Sequence, residues 1–173
     1  MKIERVWAMP NKWTFTIKPI KELLQQEVGL GIWVDPFCGL HPIDRMISND
    51  LDPDVPASRH LDAIDFLKDF DSNSVDGVVF DPPYSPRQVS ECYKKLGKTV
   101  NMQTTQMSYW SNLKNEIARI LKVNGKAICF GWSTMGLGKG RGFEMTRILI
   151  VPHGGNKNDT LCTVEVKSSK DSL

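Results

Sequence analysis

The sequence contains no Cys-x-x-Cys pair. Its four cysteines, Cys38, Cys92, Cys129 and Cys162, stand apart, so reduced, buried thiols are expected rather than a zinc site. The three histidines, His41, His60 and His153, show no ligand spacing; they are expected on the surface or in turns, with no metal. No apolar run approaches the roughly 20 residues that cross a bilayer. Met1 to Asn11 lacks the apolar core of a secretory signal, and the expected setting is cytoplasmic, with no membrane. A charge bias is missing too. Lys and Arg total 22 against 20 for Asp and Glu, a net charge of +2, so phosphate binding would have to rest on a local basic patch. No repeat, low-complexity tract or long linker divides the chain. The 173 residues, 40% of them hydrophobic and 24% charged, suit one domain with a real core.

The segments alternate in type. Pro19 to Val28 reads as a short helix with proline in its first turn. Gly31 to Asp35 and Arg45 to Asn49 are short strands. Leu61 to Phe70 has apolar residues at helical spacing. Asp76 to Phe80 is a strand that runs into Asp81-Pro82-Pro83-Tyr84. Gln88 to Leu96 reads as a helix. Thr105 to Leu121 is a stronger one, with Met107, Trp110, Leu113, Ile117, Ile120 and Leu121 on one stripe and Gly125 as its stop. Lys126 to Trp132, Phe143 to Val151 and Thr160 to Lys167 are strands. The turn-rich link between the last two is too short for a parallel crossover, so that pair is expected to be antiparallel. The pattern predicts an α/β fold: a doubly wound, mostly parallel sheet with helices on both faces and a C-terminal antiparallel strand.

Ligands of open α/β sheets bind beyond the carboxyl ends of the strands. Asp35-Pro36-Phe37-Cys38-Gly39, Asn49-Asp50-Leu51, Asp62-Ala63 and Asp81-Pro82-Pro83-Tyr84 all fall at or near such ends. Together they suggest one cleft for a polar ligand bearing hydroxyls and amines. The last cluster is the most specific. Two prolines cannot continue a central strand, because they lack ladder donors. Their carbonyls are expected to stay free as acceptors, Asp81 adds a carboxylate, and Tyr84 adds a flat face. Such a slot suits the exocyclic NH2 of a planar base.

Asp81-Pro82-Pro83-Tyr84 resembles the catalytic motif of the S-adenosylmethionine-dependent amino-methyltransferases that modify N6 of adenine or N4 of cytosine. Asp35-Pro36-Phe37-Cys38-Gly39 resembles their first cofactor motif. The run from Asp81 to Val89 also looks like small orphan and phage-type adenine-specific DNA methylases. The resemblance covers about Phe15 to Val166 and implies the class I methyltransferase (Rossmann-like) fold. It implies catalytic roles for Asp81, Pro82, Pro83 and Tyr84. It further implies that S-adenosylmethionine is held by Phe15, Thr16, Lys18, Asp35, Pro36, Phe37, Cys38, Gly39, Asp50, Leu51, Asp62, Ala63 and Asp81. Asp50 would hold the ribose hydroxyls, and Asp62 and Ala63 would lie near the adenine. Leu40, His41 and Pro42 follow Gly39 where the family has a second small residue and glycine, and Leu40 and His41 are expected to crowd that loop.

The implied activity is direct in-line methyl transfer to a flipped-out DNA base, with neither a metal nor a covalent protein intermediate. Arg87, Lys94, Lys95, Lys98, Lys139 and Arg141 are the candidate phosphate contacts. Gly136 to Gly142 is expected to be a mobile loop over the nucleic-acid cleft, since a strand and not a helix follows it. Only 38 residues separate Tyr84 from Val123, so no separate target-recognition domain is expected. Specificity then falls to the two loops, to a homodimer or partner subunit, or is low. Two alternatives stand beside this reading: an RNA methyltransferase acting on adenine N6 or guanine N2, and a non-catalytic methyltransferase-fold subunit or DNA-binding scaffold.

Overall fold

The apolar spacing Ile20, Leu23, Leu24 and a proline in the first turn make Lys18–Glu27 a helix (α1) with those three side chains buried. In α2 (Ala63–Lys68) the Asp62 carboxylate caps the first turn, accepting from the Ile64 N–H at 3.0 Å. In α3 (Pro86–Lys95) the Ser85 hydroxyl does the same for the Gln88 N–H, and Pro86 fills a position that needs no donor. Leu113, Ile117 and Ile120 form the buried stripe of α4 (Met107–Ile120). The computed structural model describes residues 1–97 and 107–169. Lys98, Thr105 and the side chain of Met107, all named above, lie outside the described residues.

Seven strands form one sheet: β1 (Lys2–Arg5), β2 (Trp33–Asp35), β3 (Met46–Ser48), β4 (Val75–Phe80), β5 (Leu121–Gly131), β6 (Phe143–Val151) and β7 (Thr160–Lys167), in the order β1-β6-β7-β5-β4-β2-β3. β7 runs antiparallel to both β5 and β6; all other pairings are parallel. The expected final hairpin is therefore present.

Alternation along the central strands divides the core in two. Val78, Phe80, Ala127 and Cys129 pack with α2, α3 and α4. Val79, Ile128 and Phe130 pack with α1. Each fully buried Leu, Ile, Val or Phe contributes about 1.5–3 kcal/mol. Among the described residues helices thus cover both faces, three on one and one on the other.

The strand order reverses between β2 and β4, which pair directly. Trp33 pairs with Gly77, where any Cβ would sit 2.3 Å from the indole. The crevice of such a sheet opens at the carboxyl ends of the two strands at the reversal. Here those ends carry Asp35 and Asp81.

The structure corrects one local expectation and fills in two places the sequence left open. β1 was not anticipated; it adds an edge strand parallel to β6. Gly125 does not stop α4, which ends at Ile120. β5 starts at Leu121, and a register shift between Leu121 and Lys126 absorbs Asn124 at φ 65°. The link between β2 and β3, residues 36–45, forms turns and no helix.

Candidate active site

The four clusters converge. A cavity of about 500 Å³ is lined by Pro36, Phe37 and Gly39 after β2, Asp50 and Leu51 after β3, Asp62 and Ala63 at the start of α2, and Asp81 to Tyr84 after β4. Thr14 and the α3 residues Gln88, Glu91, Cys92, Tyr93 and Lys95 complete its wall with Tyr109.

Asp35 lies beneath the cavity and does not line it. It is fully buried, and one carboxylate oxygen accepts from the Phe37 N–H at 3.0 Å. Its second oxygen has no partner among the described residues. Burial holds its carboxyl well above the usual range, and the carboxylates of Asp81 and Asp50 add to the shift. The loop it anchors is tied to its neighbour: Cys38 N–H donates to the Asn49 carbonyl, and Gly39 N–H donates to an Asp50 carboxylate oxygen at 3.0 Å. Gly39 has φ 58°, a left-handed conformation that glycine adopts without a Cβ penalty. Asn49 bridges the Pro36 and Leu61 carbonyls with its amide and accepts from the Leu61 N–H. Deeper in, Asp62 accepts from the Tyr93 hydroxyl, and the Tyr109 hydroxyl adjoins that of Tyr93.

At the proline corner the Tyr84 hydroxyl donates to Asp81, and Tyr84 N–H donates to the Gln88 side chain at 2.6 Å. Burial pushes the Asp81 carboxyl up, opposed by the hydroxyls of Tyr84 and Thr14. The Tyr84 ring meets Trp132 edge-on, with centroids 5.4 Å apart. The expectation that both proline carbonyls stay free is half right. The Trp110 indole N–H occupies the Pro83 carbonyl at 2.9 Å, whereas no described residue donates to the Pro82 carbonyl. Trp110 is therefore a brace for the corner as well as a packing residue.

Pro82 and Tyr84 also border a second cavity, of about 300 Å³, whose lining includes Trp110, Lys114, Trp132 and Ser133. The corner is the wall between the two spaces.

Other expectations meet mixed outcomes. Thr16 is exposed and hydrogen-bonds Asn11 and Trp13, and Lys18 is exposed beside Glu22; Thr14 lines the cavity instead. Phe15 and Cys38 line a recess of about 90 Å³ that shares Thr14, Phe37, Gly39 and Asp81 with the main cavity. Leu40, half exposed, and His41, edge-on to Trp13, line that recess beside Gly39, at the loop they were expected to crowd, and neither lines the main cavity. Arg141 is engaged by Ser111, Asn115 and the Leu137 carbonyl. Its loop is anchored rather than loose, because Leu137 and Gly138 N–H groups donate to the buried Glu165 carboxylate. Arg87 pairs with Glu91 on the surface, and Lys95 reaches Asp52 at 3.2 Å on the cavity rim. Lys94 and Lys139 are exposed. His153 is buried between the Ala8 carbonyl and the Thr160 hydroxyl. Cys92 is exposed, while Cys38, Cys129 and Cys162 are buried. Among the described residues no His, Cys, Asp and Glu cluster could hold a metal, and no helix is long and apolar enough to cross a membrane.

No family model matches the chain, and no curated protein matches it. Solved structures do. TrmN from Thermus thermophilus superposes over 88% of this chain with a TM-score of 0.54 and 16% identity. The chain spans 49% of TrmN. The 1,6-didemethyltoxoflavin-N1-methyltransferase of Burkholderia thailandensis, solved with its substrate and S-adenosylhomocysteine, matches over 88% of this chain and 78% of its own, with a TM-score of 0.57 and 11% identity. The N-methyltransferase NodS from Bradyrhizobium japonicum WM9 matches over 88% and 93%, with a TM-score of 0.55 and 10% identity. At such identities the likeness is one of fold: a mixed, mostly parallel seven-stranded α/β sheet, as in class I methyltransferases.

Proposed function

We propose that the chain is an S-adenosylmethionine-dependent methyltransferase acting on the exocyclic amino group of a nucleic-acid base, with N6 of adenine in DNA as the target. One observation carries the reading. Asp81 and the unoccupied Pro82 carbonyl stand at a corner between a 500 Å³ cavity and a 300 Å³ cavity, which suits a reaction that joins two ligands.

The residues of the larger cavity fit the cofactor. Asp50 presents a carboxylate to hydroxyls, Leu51 and Ala63 give apolar surface, and Asp62, held by the Tyr93 hydroxyl, gives an acceptor for the amino group of an adenine edge. The volume lies within the range of small-molecule sites. The Burkholderia enzyme, of the same fold, holds S-adenosylhomocysteine. When bound, S-adenosylmethionine supplies an activated methyl group on sulfur.

The protein's part is orientation. Asp81 and the Pro82 carbonyl accept the two N–H bonds of the base amino group, which draws its lone pair out of conjugation with the ring. Asp81 then takes up the proton that the nitrogen loses. Tyr84 holds Asp81 through its hydroxyl and offers its ring to the base. A base reaches this corner only outside a duplex. Stacking on such a ring is worth about 1–3 kcal/mol per base.

The test is mass spectrometry of nucleosides from DNA and from RNA of cells expressing the protein. N6-methyladenine in DNA supports the reading. Methylation confined to RNA moves the substrate class. No new methylated base in either overturns it.

A further inference from the structure

Lys114 brings a cation to the wall of the smaller cavity. It stands half-buried on α4, and no hydrogen bond or ion pair holds its ammonium among the described residues. Its charge is felt at Cys129 on the sheet, where it pulls the thiol down against the larger effects of burial and of the buried Glu165 carboxylate. It lines the 300 Å³ cavity with Pro82, Tyr84, Trp110, Trp132 and Ser133, and no lining residue is acidic.

An ammonium at the wall of an aromatic-lined cavity draws a partner from what enters it. No anion lines this cavity, and a ligand seated in it can supply the partner. An ammonium only donates, so that partner is an acceptor. Across the same cavity the corner offers the opposite polarity, because the Pro82 carbonyl only accepts. The rings of Tyr84 and Trp132, edge-on to one another, border the same cavity. These features describe a planar ring with an amino group at one edge and a bare ring nitrogen at another.

We propose that Lys114 is a specificity-determining residue that donates a hydrogen bond to a ring nitrogen of the target adenine while the base lies against Tyr84 and Trp132. The proposal rests on the reading of Asp81 and Pro82 given above and adds to it how the base is told apart from its analogues. A charged hydrogen bond of this kind is worth about ten- to a hundredfold in binding.

The test measures kcat/KM on oligonucleotides carrying adenine, 1-deazaadenine, 3-deazaadenine or 7-deazaadenine at the methylated position. The enzymes compared are the wild type, Lys114→Met and Lys114→Arg, with Kd for S-adenosylhomocysteine measured alongside. The wild type should lose about ten- to a hundredfold on one of the deaza bases. Lys114→Met should lose as much on adenine and nothing further on that deaza base, with the Kd unchanged. Lys114→Arg, which keeps the charge and the donor, should keep part of the discrimination. Equal activity of Lys114→Met and wild type on adenine overturns the proposal. So does a loss that is the same for every base and shrinks with added salt, which marks a phosphate contact. If the wild type methylates and Asp81→Ala does not, failure falls on Lys114 alone. If the wild type transfers no methyl to any amino base, the reading of the corner fails and this proposal with it.

Discussion

The indole N–H of Trp110 donates to the carbonyl of Pro83 at 2.9 Å, across 27 residues of sequence. One helix thereby fixes the corner that β4 leaves behind. The bond takes Pro83 out of the acceptor set and leaves Pro82 in it. Trp110→Phe keeps an aromatic side chain, though a smaller one, and removes the donor. A neutral hydrogen bond contributes about 0.5–1.5 kcal/mol, so turnover should fall about two- to tenfold if the bond holds the corner in its productive position. Steady-state kinetics with unchanged cofactor Kd check this.

Asp50 accepts from the Gly39 N–H at 3.0 Å and from the Asp52 N–H at 2.9 Å. It joins the loop after β2 to the loop after β3 at the cavity wall. Its proposed role is to hold hydroxyls of the cofactor. Asp50→Ala should raise the Kd for S-adenosylhomocysteine about ten- to a hundredfold, the worth of one charged hydrogen bond. Calorimetry measures it directly.

Asp35 has the opposite character: buried, half unpartnered, and raised well above 3.8 by desolvation. The sign of its linkage follows. Between the unfolded value and the raised folded value, the folded state binds more protons than the unfolded state. Stability contributed by this group therefore falls as pH rises through that window, and the deficit persists above it. Asp35→Asn removes the titration. Urea midpoints of the two proteins should diverge in favour of the variant as pH rises from about 4 toward neutrality. A pH-independent difference would count against the buried, raised carboxyl.

Gly136 has φ 51°, and a Cβ there would sit 2.2 Å from the carboxylate of the buried Glu165, which cannot yield easily. That carboxylate accepts from the next two backbone N–H groups. Gly136→Ala should destabilise the fold by about 1–3 kcal/mol. Because Gly136 borders the smaller cavity, it should also weaken use of the nucleic-acid substrate more than cofactor binding. Chemical denaturation and a KM comparison separate the two effects.

Much of the fold was legible in the residues. Phe143–Val151 and Thr160–Lys167 are strands with the expected bounds, because both are long, apolar-rich runs closed by turn residues. The four acidic clusters share a cavity wall or its floor because each closes a strand or opens a helix. The misses have a common physical origin in long-range pairing. Lys2–Arg5 has little apolar signal and is a strand because β6 offers it an edge. Thr14 lies in a 3-10 turn whose orientation decides that it, and not Thr16, faces Asp81. Arg141 carries the charge of a phosphate ligand but is spent on α4. Tyr93 and Lys114 had no local motif; only packing brings them to the cavities.

The proposed role of Asp81 predicts a separation of binding from chemistry, and purified Asp81→Ala tests it. Its Kd for S-adenosylhomocysteine should stay close to that of the wild type, while methyl transfer to adenine-containing DNA should fall below detection. Transfer at a rate comparable to the wild type by a folded, cofactor-binding Asp81→Ala protein would contradict the assignment of the corner as the catalytic site.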